Sequence, residues 1–515
     1  MKIKTIEIHN YKAFYGDKNT IEVDGKNLFI YGENGSGKSS LYYALKDFFQ
    51  SSMETIDLDE IENIFIEPSD HGKVKVKLTF NPDEAGNAID QNLELSSAVS
   101  PNGDINIRDT YQLRSFLNYK HLLAIHNIKK DEEIDLFDLL VKGVLKHFKI
   151  TGLTKPLGET WKDIEYLLQR PTESSYNITQ KRKDLGQLLG TFNSAFKTLF
   201  TPPTPTAPNP DYILTNTNNI LSEFDSGLSI SVSYLTASID SHDSQASKLN
   251  GGKVKIEIVY GGKTISKPHL FLNEARLSAI AISIYLGMIK RLPQLKKLKF
   301  LFLDDLFIGL DLSNRMPLLK VLERDFSDYQ IIISTYDKPW YEVVKFYLES
   351  NSKWKCIEVL ARKNQYSYDQ PLIKYADDGK TGSHITRIIS IAEEYYNNGD
   401  NKASGVYLRS AFEFILKRYC KNKNLKVRYE IDLSKHTTED FWLAIKDFKV
   451  AEDARTAGTS QPSKCKLQGT TISDVELCRR FVLNPLCHLD QTKHESSTEI
   501  QKAIGVIKTL NGELS

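Results

Sequence analysis

Gly32-Glu33-Asn34-Gly35-Ser36-Gly37-Lys38-Ser39-Ser40 is the stretch of this chain best suited to chemistry. Gly32, Gly37, Lys38 and Ser39 fit the phosphate-loop spacing G-x-x-x-x-G-K-[ST]. Glycines let consecutive backbone N–H groups turn inward, so Asn34, Gly35, Ser36, Gly37, Lys38, Ser39 and Ser40 become candidates for cradling phosphate oxygens. Lys38 supplies a point charge, and the Ser39 hydroxyl suits Mg²⁺. The flanking residues agree. Asn27–Tyr31 reads as a buried strand entering the loop. Ser40–Leu45 has helical spacing leaving it, which places the phosphates on a helix N-terminus.

A second candidate lies far downstream. Phe300-Leu301-Phe302-Leu303 is an all-apolar run of the kind buried in a parallel sheet. It delivers Asp304 and Asp305 at the carboxyl end, where such sheets bind ligands. Asp304 suits a metal-linked role and Asp305 the polarisation of an attacking water. Carboxylates are costly to bury without a task.

These residues need a frame. Alternation marks strands at residues 1–8, 73–80, 228–234 and 254–260. Apolar runs mark others at 300–303 and 329–335, with a last one near 354–360. Helical periodicity covers 110–150, most of 154–224, and 273–292. The tract Thr201–Pro210 holds five prolines and reads as a solvated loop. Composition breaks at 364–380, and the remainder reads as helical. With 515 residues, two to four domains are expected. Lys plus Arg number 67 against 66 Asp plus Glu, so any nucleic-acid contact must be a local patch. No apolar run reaches about 18 residues, and the N-terminus lacks a signal-peptide core; no membrane span is expected. The five cysteines are scattered without a C-x-x-C pair, which leaves a zinc hook unsupported and fits a reducing cytoplasm.

Together the two motifs resemble the ABC-class ATPases of the SMC and RecF type. In those proteins the phosphate-loop strand and the acidic strand are separated by an inserted arm, as Lys38 and Asp304 are here. Asp304-Asp305-Leu306-Phe307-Ile308-Gly309-Leu310-Asp311 is similar to their Walker B and D-loop. Leu272-Asn273-Glu274-Ala275-Arg276-Leu277-Ser278-Ala279 is similar to the signature segment that opens a helix. The resemblance implies an α/β ATPase head over residues 1–150 and 228–365, split by a mainly helical insertion at 151–227. A mostly α-helical domain at 380–515 would follow. It implies ATP and Mg²⁺ as cofactors, with Asn273 reaching the γ-phosphate held by a partner subunit, and a homodimer through the heads that can build into a higher oligomer. Departures are visible. Asp305 stands where the family usually has Glu. Asn273 and Ala275 replace a signature Ser and Gly, and Thr335-Tyr336-Asp337 replaces the switch His, making Tyr336 the candidate donor there. The Gln of the Q-loop has no evident position. The Asp-Asp form with an altered signature is similar to bacterial anti-phage defence ATPases of the anticodon-nuclease and Septu types. Their resemblance implies a nuclease effector in a partner subunit or in the C-terminal domain, acting on DNA or tRNA.

In the C-terminal third, Arg409 and Glu413 share a helix face and His488 lies downstream. They resemble the Arg, Glu and distal His of the anticodon nucleases, in which His serves as acid or base and Arg holds phosphate. An Arg–Glu pair at this spacing is also an ordinary surface salt bridge. A helical docking module is the alternative. The basic run Lys417, Arg418, Lys421, Lys423, Lys426 and Arg428 suits either a phosphate contact or a solvated helix end. The other functional classes are a DNA-repair or chromosome-maintenance ATPase clamping nucleic acid, for which neither a long coiled coil nor a basic groove is visible, and a self-contained RNase toxin gated by ATP.

Overall fold

The computed structural model describes the chain except for residues 17–18, 82–89, 121–134, 169–177, 210, 240–248, 266–270, 292–296, 349–350, 364–366, 376–380, 429–436 and 488–496. It separates into two compact units, Met1–Ala376 and Asp377–Ser515.

The first unit opens with β1 (Ile3–His9), β2 (Asn19–Glu22) and β3 (Asn27–Tyr31), then α1 (Lys38–Gln50), β4 (Lys75–Phe80) and β5 (Gln91–Ser96). Next come α2 (Ile105–Gln112), β6 (Phe116–Asn118) and a helical turn over Leu139–Val144. Helices α3 (Leu157–Leu168), α4 (Ile178–Thr198) and α5 (Leu214–Phe224) follow, with Thr201–Asn209 exposed and irregular between the last two, as its prolines require. The chain continues through β7 (Leu228–Leu235), β8 (Lys253–Tyr260) and β9 (Lys263–Ile265). It then forms α6 (Glu274–Arg291), β10 (Phe300–Asp304), α7 (Leu312–Asp325), β11 (Gln330–Thr335), α8 (Lys338–Leu348), β12 (Trp354–Lys363) and β13 (Asp369–Tyr375).

The central sheet runs β13-β12-β3-β11-β10-β6, parallel except for the antiparallel edge strand β13. Both faces are covered, so the inner strands β3, β10 and β11 carry continuous apolar runs at Leu28–Tyr31, Phe300–Leu303 and Ile331–Ile333. Leu28, Ile30, Phe300, Phe302 and Ile332 face one core, whereas Phe29, Leu301, Leu303, Ile331 and Ile333 face the other. The first core holds α1 against the antiparallel sheet β2-β1-β4-β5. Leu41, Leu45, Phe48 and Phe49 are fully buried there, each contributing roughly 1.5–3 kcal/mol. That packing fixes α1 with its first turn at the carboxyl ends of β3 and β10. Gln330 ties the two sheets together: its amide donates to the Ile3 and Lys26 carbonyls at 2.9 Å, and its oxygen accepts from Ile3 N–H.

Two expectations need correction. Residues 110–150 are not helical throughout: Phe116–Asn118 forms β6, parallel to β10. The composition break at 364–380 contains the point where the two units part, but residues 369–375 within it form edge strand β13, where Pro371 is tolerated because an edge position does not need its missing N–H.

The second unit contains α9 (Thr381–Asn397), α10 (Asn401–Lys423), α11 (Thr438–Thr456), α12 (Gly469–Cys478) and α13 (Ser497–Glu513). They enclose their own core around Leu408, Phe412, Trp442, Val475 and Ile507.

Candidate active site

The loop after β3 closes under two left-handed glycines, Gly35 at φ 83° and Gly37 at φ 100°. Gly37 precedes the first residue of α1, so the helix N-terminus opens directly onto the loop. A side chain at Gly32 would stand 2.4 Å from Ser36 Oγ and 2.6 Å from the Val359 carbonyl, so only glycine lets the loop turn this tightly. Lys38, 4% exposed, bends back so that Nζ donates to the Gly32 carbonyl at 2.5 Å and the Glu33 carbonyl at 3.1 Å. Burial pushes its pKa down, and Asp305 and Asp304 oppose that shift. Behind the loop, Ala13 N–H donates to Ser40 Oγ at 3.4 Å. A side chain at Gly37 would collide with Pro371 of β13 at 2.4 Å.

The register β3-β11-β10 brings the acidic pair to this loop. Asp304, 5% exposed, accepts from Ser39 Oγ at 3.3 Å through one oxygen and from Ser334 Oγ at 2.5 Å through the other. Burial raises its pKa, while Ser334, Lys38 and Ser39 hold it back. Asp305 takes the left-handed conformation at φ 53°, tolerable for Asp, and turns the chain out of β10. Its Oδ1 is buried without a hydrogen-bond partner. Burial pushes this carboxyl up to about 6, with Asp304 adding to the rise and Lys38 and the Tyr336 backbone N–H opposing it. A base poised near neutrality with one oxygen unengaged is suited to accepting a proton from water. Ser36 Oγ is likewise buried and unpartnered. Two orphaned polar atoms beside a helix N-terminus, a buried lysine and a Ser–Asp pair fit a Mg²⁺-bound nucleoside triphosphate.

The family described as the RecF/RecN/SMC N terminal domain matches residues 2–355. The chain belongs to that family. It is an ATP-binding ATPase of the SMC and RecF type. A search among curated proteins returned no match. Among solved structures, the SMC head bound to the C-terminal winged-helix domain of ScpA is 13% identical, with a TM-score of 0.37 over 73% of this chain and 98% of that one. The SMC head domain from Thermotoga maritima is 15% identical, with a TM-score of 0.35 over 73% of this chain and all of that one.

The other predicted residues fall in several places. Tyr336 follows β11, 43% exposed, and meets Asp305 through its backbone rather than its hydroxyl. Asp337 beside it accepts from Arg315 at 2.6 Å, and Arg315 also donates to the Leu310 carbonyl, linking this turn to the segment after Asp305. Asn273 is exposed immediately before α6, where its side-chain oxygen accepts from Arg276 N–H at 3.0 Å. One residue escaped the sequence reading: β6 sets Asn118 level with Asp304 in the ladder, 8% exposed, its side chain accepting from Lys120 N–H at 3.1 Å. A three-residue strand offers no periodicity from which to find it.

In the second unit Arg409 donates to Glu413 at 3.1 Å and to Asn484. Glu413 also accepts from Thr438 Oγ1 at 3.0 Å. Both side chains thus brace α10 against its neighbours. His488 lies outside the described residues. Arg418, predicted as part of a basic run, is 9% exposed and bonded to Asn511 and the Leu514 carbonyl, so it belongs to the packing of α13.

Proposed function

We propose that this ATPase is a nucleotide-operated switch that closes as a twofold homodimer around two ATP molecules and thereby controls an effector nuclease. One observation supports this reading above the rest: Lys38, Ser39, Asp304 and Asp305 converge at one end of the parallel sheet around unpartnered buried oxygens of Ser36 and Asp305. Lys38 and the loop N–H groups bind phosphate. Ser39 and Asp304 hold Mg²⁺, which when bound neutralises phosphate charge. Asp305 accepts the proton of the attacking water.

The exposed Asn273 at the start of α6 is the surface that a second copy would present to the phosphates, because a helix N-terminus favours an anion. Two identical chains each complete the other's site in one isologous interface. The effector is either residues 380–515, through Arg409, Glu413 and His488, or a partner subunit docked on those helices, with DNA or tRNA as target and anti-phage defence as the setting. Light scattering tests closure: Asp305→Asn protein with ATP should double in mass, and a monomer at saturating ATP would overturn the dimer. Incubation with total tRNA and with duplex DNA, with and without ATP, separates a resident nuclease from a docking module. A resident nuclease cleaves one of the substrates unaided, whereas a docking module leaves both intact.

A further inference from the structure

A second concentration of charge lies along α1, eight residues past Lys38 and so about 12 Å down the helix axis. There a cavity of about 130 Å³ opens between Lys46, Tyr111, Arg114, Phe116, Leu139 and Tyr285. Arg114 adopts φ 51° to enter it. Its guanidinium reaches the Tyr111 hydroxyl at 3.3 Å and His147 Nε2 at 3.3 Å, and its buried Nε has no partner. Among the described residues Arg114 makes no ion pair. Lys146 stands beside it, 4.0 Å from Glu54. Asp47, the acid adjoining Lys46, is engaged by the Tyr11 hydroxyl at 2.5 Å.

The electrostatics agree with the geometry. Burial lowers the pKa of Lys46 and Lys146, and Arg114 lowers both further. Burial, with Arg114, Lys146 and Lys162, pushes His147 down to about 4, so its ring is neutral and adds no charge. Among the described residues, the charged groups that act on this cluster are the cations Lys12, Lys46, Arg114, Lys146 and Lys162 and the carboxylates Asp47, Glu54 and Glu159. Leaving aside the exposed Lys162 and Glu159, four cations stand against two carboxylates among the described residues. Buried charges are costly unless paired. The walls below them are aromatic and aliphatic. We propose that this cavity binds the phosphate monoester of a small ring-bearing molecule. Arg114 and Lys46 take the dianion, and the ring lies against Phe116, Leu139 and Tyr285. Arg114 supplies the fork geometry that phosphate recognition uses. The site is separate from the phosphate loop but shares α1 with it, and Phe116 lies in the strand that carries Asn118 next to Asp304.

Calorimetry on full-length Lys38→Ala protein, in which the phosphate loop is disabled, tests this. Adenosine 5′-monophosphate and inorganic phosphate are titrated separately. Saturable binding by either is expected, and tighter binding of the nucleotide places the ring in the cavity; equal affinity assigns the site to the free anion. Adding Arg114→Gln should weaken binding by at least about tenfold, the loss of a charge-assisted contact. Lys46→Met, which keeps the aliphatic stem, should weaken it as well and guards against misfolding of the Arg114 variant. No saturable binding by either probe, or affinity unchanged in both variants, overturns the proposal.

Discussion

Asp305→Asn should make this protein both more stable and inactive, and the stability gain should depend on pH. The carboxyl is raised from the ordinary 3.8 to about 6 chiefly by burial. At full strength that shift corresponds to about 3 kcal/mol against the ionised folded state. Solvent screening at this partly open position reduces it to about 1–2 kcal/mol. Because the folded-state pKa lies above the unfolded one, the folded protein holds the proton more tightly. The penalty is therefore absent below about pH 4, grows as pH rises toward 6, and is complete above it. Asn removes the charge and still accepts the left-handed backbone of residue 305. Nucleotide-free Asp305→Asn should melt about 2–4 °C above wild type at pH 7.5 and with it at pH 4. Turnover should fall by about 10²- to 10⁴-fold with ATP affinity retained. Scanning calorimetry at the two pH values, paired with a phosphate-release assay, provides the readout. Equal melting at pH 7.5, or a gain that persists undiminished at pH 4, would refute the burial argument. Unchanged turnover would remove Asp305 from the role of proton acceptor.

Lys38→Ala should lose ATP binding by a nucleotide-affinity assay while the far-UV circular dichroism is kept, because the side chain bonds only loop carbonyls that ligand-free protein can reorganise. Gly37→Ala should cost about 1–3 kcal/mol by urea denaturation, because its methyl would meet Pro371 at 2.4 Å in a left-handed conformation. Gly35→Ala, left-handed with nothing within 4 Å, should cost only about 1 kcal/mol. Arg409→Ala should lower the melting temperature of the second unit, because it removes the donor that joins Glu413 to Asn484 and leaves Glu413 its bond from Thr438; an unaltered melt would show that the bracing contributes little.

The sequence made the phosphate loop legible because strand, glycines, lysine and helix are contiguous there. Asp304 and Asp305 were legible because four apolar residues in a row announce a buried parallel strand. Asn118 was hidden by brevity, since Phe116–Asn118 is too short to display a period. Strand β13 was hidden by polar residues and Pro371, which an edge position permits. The Lys46–Arg114–Lys146 cluster was hidden by distance, its members coming from three separate segments that only the packing of α1 against β6 brings together. Arg409 and Glu413 were correctly placed on one face, yet spacing alone does not reveal that Asn484 and Thr438 engage them.

Complementation between two damaged chains tests cross-subunit closure most directly. Lys38→Ala removes the phosphate cation from one chain. Asn273→Asp leaves the α6 cap acceptor in place but sets a carboxylate against the partner's phosphates. Each variant alone should be nearly inactive. In a mixed dimer, the intact loop of the Asn273→Asp chain faces the intact helix start of the Lys38→Ala chain, giving one working site. An equal mixture holds half mixed dimers, so turnover should recover to about a quarter of wild type if the two sites act independently. Turnover in the mixture no greater than the average of the two variants alone would contradict the shared-site dimer.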